Sequence, residues 1–199
     1  MSGVAMAARR GRGEVLELIE RRGIPIELQG VERLIAACAR HDSAKMRAIA
    51  EHEPELLREL VVQAGQLLVA FAGVGNTAGL GRLLDLGVDV NAVTEDGDPY
   101  FDVAKNSTAL HSAAWRAWPS TVKLLIARGA SVNVVDGKGR TALALAVRAC
   151  VDSYWKGRRT PESVEALLKA GATVRGVAYP SGYAEVDELL RACGVGAVE

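Results

Sequence analysis

The sequence repeats itself. The stretch STALHSAAW (107–115) returns as RTALALAVR (140–148), with Thr108 and Thr141 33 residues apart and Leu110 and Leu143 at the same interval. Downstream, LGRLLDLGVDVN (80–91), VKLLIARGASVN (122–133) and VEALLKAGATVR (164–175) align with one another, and Gly87, Gly129 and Gly171 fall 42 residues apart at each step. An interval of 42 beside one of 33 means that each step carries a nine-residue insertion. Units this short cannot bury an apolar face alone. They do so only by stacking, which commits the chain to a solenoid.

The rest of the chain fits the same frame. Leu68 and Leu83 repeat the spacing of Leu110 and Leu125, and a further shift of 34 reaches Leu34 and Ile49. Near the start, Ala7 and Ala8 precede Gly11, and a helical stretch with Leu16 and Ile19 ends at Gly23. About five repeats follow, over 1–26, 27–60, 61–102, 103–135 and 136–178, the second ending in an irregular EHEPELLREL (51–60). A capping helix over 179–199, built on YAEVDELLRACG, closes the stack. Hydrophobic residues make up 49% of the chain and aromatics only 5%, so the core is built from Ala, Leu and Val. Alanine pairs let helix backbones approach, and leucine pairs on the second helices fill the space between repeats. Thr108 and Thr141 open first helices, Pro119 and Pro161 start second helices, and the spaced glycines close them.

The motif T-A-L-H-x-A-A followed by V-x-x-L-[LI]-x-x-G-A-x-V-N resembles the ankyrin-repeat family, with Ala where that family usually has Pro. The resemblance implies an all-α solenoid of helix-turn-helix units with short hairpin-like turn tips. It also implies a non-catalytic protein–protein interaction scaffold that binds through the tips and the exposed side of the first helices. The two residues after each alanine pair then face the partner, which selects Arg9, Arg10, Arg40, Trp115, Arg116 and Arg148. Turn tips add Lys105, Lys138 and Arg140, and the first insertion, TEDGDPYFD (94–102), adds Tyr100 and Phe101. Acids fall on second helices and loops, so the face is basic and aromatic, and the partner is another protein presenting an acidic segment. His111 is implied to make structural hydrogen bonds to neighbouring turns. Trp115 faces the groove, whereas Trp118, just before Pro119, packs. The second insertion, near 151–160, lengthens its first helix through Tyr154 and Trp155 and turns at Gly157, at the opposite end from the first insertion, so the two do not touch.

Other chemistry finds little support. His41 and His52 lack a metal-ligand arrangement. The 94–102 loop lacks the order and closing Glu of a calcium loop, and reads as a solvated acidic loop. GVGNTAG (73–79) and GKGRT (137–141) follow no strand, so neither is a phosphate loop, and no nucleophile motif is present. No catalytic site, cofactor or metal is expected. Lys+Arg and Asp+Glu are both 24, so no overall field draws nucleic acid or membrane. Cys38, Cys150 and Cys193 are isolated and read as small buried hydrophobes. Without a signal core or an 18-residue apolar run, the expectation is a cytoplasmic monomer that does not bind membranes. Two alternatives stay open: nucleic-acid binding through the same arginines, and a small-molecule or enzymatic pocket near Trp115.

Overall fold

The computed structural model describes residues 1–98 and 102–196. Twelve α-helices form among them, with no strands beyond the isolated bridges Asp98–Val103 and Val135–Thr141 at turn tips. Helix pairs follow one another: α1 (Gly3–Arg9) with α2 (Gly13–Arg21), α3 (Val31–Ala39) with α4 (Ser43–His52), α6 (Ala64–Val74) with α7 (Thr77–Asp85), α8 (Ala109–Trp115) with α9 (Pro119–Ala127), and α10 (Ala142–Asp152) with α11 (Glu162–Lys169). Helix α5 (Pro54–Val62) joins the second pair to the third, and α12 (Ala184–Ala192) lies against α11. First helices pack in a row, α6 on α8 and α8 on α10, and second helices do the same, α7 on α9 and α9 on α11.

Local chemistry builds each unit as its sequence demands. Thr141 Oγ1 accepts from the Ala144 amide at 3.2 Å and caps α10. Pro119 is the first residue of α9, where its missing N–H costs nothing. Gly87, Gly129 and Gly171 close α7, α9 and α11 with φ of 84°, 85° and 85°, a region that penalises any side chain. Asn91 Oδ1 accepts from the Ser131 amide and Asn133 Oδ1 from the Thr173 amide, both at 2.8 Å and both 40 residues on. The same loop staple therefore recurs from repeat to repeat. The core is one continuous body running from Ala8 to Leu190, with Leu68, Leu83, Leu110, Leu125, Leu143 and Leu167 fully buried.

Three expectations need correction. The stretch 51–60 is helical rather than irregular: α4 runs to His52 and α5 begins at Pro54, with Leu56 and Leu60 buried at an i, i+4 spacing. Helix α10 is longer than α8 but ends at Asp152, short of Tyr154 and Trp155, because Ser153 turns extended and a short 3₁₀ turn covers Lys156–Arg158. Cys38 and Cys150 are buried, but Cys193 is exposed where α12 ends. Among the described residues no single helix is long and apolar enough to cross a membrane. Helices α5 and α6 pass such a test only together, bent by 75°, and most of α6 is buried in the core.

Candidate functional site

The inter-helix turns form a stacked edge. Gly11, His41, Gly75 and Ala117 each adopt a left-handed conformation after the first helix of their unit, with φ between 54° and 74°. Asn76 ties three of these turns together: its Nδ2 donates to Gly11 O and Ala39 O at 2.8 Å, and its Oδ1 meets His41 Nε2 at 2.7 Å. Trp118 extends the edge. Its indole N–H donates to Gly73 O at 3.0 Å, and its ring lies so close to Gly75 that a Cβ there would sit 2.5 Å from it. Trp118 is thus a packing residue.

His111 links the fourth unit to the fifth. Its Nδ1 accepts from the Thr108 amide at 3.2 Å, and its Nε2 lies 3.2 Å from Val134 O and 3.1 Å from Arg140 O. Two carbonyls on one side and an amide donor on the other fix the neutral tautomer with the proton on Nε2. Burial pushes its pKa below the ordinary value, against the opposing pull of Asp136. On the same tip, Asp136 accepts from the amides of Lys138 and Arg140, both at 2.9 Å, and from Arg140 Nε at 2.8 Å.

Among the described residues of the first insertion, Glu95 and Asp96 are exposed, but Asp98 pairs with Val103 as the arms of a hairpin, and Asp98 and Asp102 fold back onto the basic face. The base of the hairpin is closed by Thr94 N–H to Ser107 O at 3.0 Å and Asn106 N–H to Thr94 O at 2.8 Å, and Asp98 and Val103 exchange backbone hydrogen bonds of 2.8 and 3.0 Å. Asp98 then meets Arg10 at 3.4 Å. Asp102 receives Lys138 at 2.6 Å, Arg140 at 2.9 Å and Arg148 at 2.8 Å. Burial would raise the Asp102 pKa, but hydrogen bonds from Lys138, Arg140 and Arg148 and the charge of Arg140 outweigh it and hold the carboxyl at about 2.

The residues singled out from the sequence therefore have specific partners. Arg9 binds Glu32 and Gln63, Arg40 binds Glu20, and Arg148 also lies 4.6 Å over the Trp115 ring. Lys105 is exposed and makes no ion pair among the described residues. Tyr100 and Phe101 lie outside the described residues. Arg116 departs most from expectation. It is 8% exposed, with its guanidinium 3.9 Å over the Trp155 ring. Burial, with the charges of Arg158 and Arg12, pushes its pKa down to about 10, and Asp98 acts in the other direction. Trp155 of the second insertion stacks on Arg116, and Asp98 of the first acts on its charge. Arg158 spans the second insertion and the turn edge, 4.0 Å over Trp118 and 5.0 Å over Trp155. Tyr154 is 89% exposed. Sequence reasoning missed this Arg–Trp cluster, although the basic and aromatic content of 151–160 was its only available trace.

Between α1, α6, α8 and the hairpin runs a groove of about 880 Å³. Leu67, Val69, Ala70 and Val74 of α6 supply apolar lining, and Arg9, Arg10, Arg12, Arg116, Asp96 and Asp98 supply charge. Among the described residues no three His, Cys, Asp or Glu side chains are grouped to hold a metal ion.

The family model for ankyrin repeats, in three copies, matches residues 46–176. A comparison with curated proteins finds no match. Ankyrin repeats generally act as protein–protein interaction modules without catalysis. With a match over most of its length, and with paired helices, hairpin tips and a repeated asparagine staple, the chain belongs to the ankyrin-repeat family.

Proposed function

We propose that the chain is a non-catalytic scaffold that binds an acidic segment of another protein on the face formed by its first helices and turn tips. The observation that supports this most is the charge of the groove. In a chain of zero formal net charge, four arginines and two aspartates line it, around an apolar strip of α6. Arginine suits the task because its planar fork hydrogen-bonds carboxylates directionally and is weakly hydrated. Apolar side chains of the partner fill the strip, while carboxylates bind at the rim and set orientation and on-rate. Lys138 and Arg148 extend the basic rim toward the C-terminal units, beside the half-buried Trp115.

The test is affinity purification with mass spectrometry from the native cell, using the full chain and an Arg10→Glu/Arg148→Glu variant as baits. Both side chains are about half exposed, so the variant should keep the helical circular dichroism of the parent. The variant should lose the partners that the parent retains. Retention of every partner would remove the proposal.

A further inference from the structure

We infer that the first insertion is an internal ligand of this face: its hairpin presents Asp98 and Asp102 to the cations that would receive a partner's carboxylates, and an acidic partner must displace it. This rests on the reading above and adds to it how the site is regulated.

In a solenoid each unit needs contacts only with its neighbours. The hairpin precedes α8, yet Asp98 reaches Arg10, 88 residues away where the first helix of the first unit ends. The third unit already meets the first through Asn76 and Gly11, and the Asp98–Arg10 ion pair adds the hairpin to that contact. In the other direction Asp102 reaches the tip cations Lys138 and Arg140, and Arg148 on α10. One short hairpin thus meets cations of the first and the fifth units, with Asp98 on one arm and Asp102 beside Val103 on the other.

The attachments are of two kinds. The hairpin's own shape is held by backbone hydrogen bonds between Thr94 and Ser107, Asn106 and Thr94, and Asp98 and Val103. Its hold on the face is mainly by side-chain ion pairs, and three of the cations are about half exposed: Arg10 at 51%, Lys138 at 56% and Arg148 at 46%. Arg140 is 17% exposed and also donates to Asp102 O at 3.1 Å, and Gly137 N–H donates to Lys105 O at 2.7 Å, so the hold on the fifth unit is the firmer. The exposed pairs are individually weak and screened by salt, so they are releasable. The Asp98–Arg10 pair, at 3.4 Å, is longer than the three pairs at Asp102. A partner carboxylate arriving at Arg10 replaces Asp98 charge for charge, and the groove between α1 and the hairpin opens to the rest of the segment. A face already occupied by its own acids discriminates against weakly acidic partners, since each must outcompete the hairpin.

The experiment uses fluorescein-labelled hexaglutamate as the probe, with anisotropy read at low salt against three full-length proteins: the parent, Asp98→Asn/Asp102→Asn, and Glu17→Gln/Glu51→Gln. The last makes the same charge change on α2 and α4, away from the hairpin. The hairpin variant should bind about tenfold more tightly than the other two, because the competent face is no longer occupied. On the parent, saturating probe should shift the carboxyl resonances of Asp98 and Asp102, as their ion pairs with Arg10 and with Lys138, Arg140 and Arg148 are broken. Equal binding by all three proteins with those resonances unmoved overturns the inference and leaves the face a carboxylate binder. A gain matched by the Glu17→Gln/Glu51→Gln control also overturns it, since net charge then explains the effect. No binding by any of the three, with native circular dichroism, overturns both this inference and the acidic-partner reading.

Discussion

Asp102→Asn tests how the hairpin is held. The substitution keeps the shape and removes the charge that Lys138, Arg140 and Arg148 share. The native fold lowers the Asp102 pKa from an ordinary 3.8 to about 2. At about 1.4 kcal/mol per pH unit, that gap sets a ceiling of roughly 2.5 kcal/mol on the stabilisation. The carboxylate is 27% exposed and two of its three cations are about half exposed, so solvent screening brings the figure to about 1 kcal/mol. The sign follows from linkage. As pH falls, the unfolded chain takes up this proton before the folded one does. The stabilisation is therefore complete above the unfolded value near 3.8 and lost as pH falls through about 2. Urea denaturation of parent and variant should differ by about 1 kcal/mol at pH 7, and the difference should shrink to roughly half by pH 3. Carbon-detected titration of the Asp102 carboxyl provides the direct check. A midpoint near 3.8, or a stability difference that does not change with pH, would refute the ion-pair account.

Two further outcomes follow from packing. Leu125→Ala empties a fully buried position on α9, which packs against both α7 and α11, and should cost about 3 kcal/mol. Hydrogen exchange should accelerate in all three helices, and a change confined to α9 would contradict the stacking argument. Burial raises the Cys38 thiol to about 12 and Cys150 to about 11, whereas Cys193 is exposed. One thiol per native chain should therefore react rapidly with a disulfide reagent at pH 8, and three after denaturation. Rapid reaction of two or more in the native protein would show that the repeat interfaces open.

The repeat architecture was legible because its causes are local. The 33-residue spacing, the threonine caps, the proline at the start of α9 and the closing glycines each act within a few residues, so sequence and structure agree there. The Pro54–Val62 helix was missed although Pro54 and the Leu56/Leu60 pair stand in plain helical spacing. It occupies the place where the other units have a tip, and the repeat template hid it. The packing role of Trp118 was also readable, since it directly precedes the proline that starts α9.

Charge was different. The sequence located the cations at Arg10, Lys138, Arg140 and Arg148, but not what neutralises them, because Asp98 and Asp102 are brought to them by the path of one insertion over the face. Arg116 read as an exposed groove residue by its place after the alanine pair. It is buried because Trp155, 39 residues later, turns back onto it. Repeat periodicity is a property of neighbouring residues and survives in one dimension. Which carboxylate meets which guanidinium, and which ring covers it, depends on insertions that break the period, and only the folded chain sets those distances.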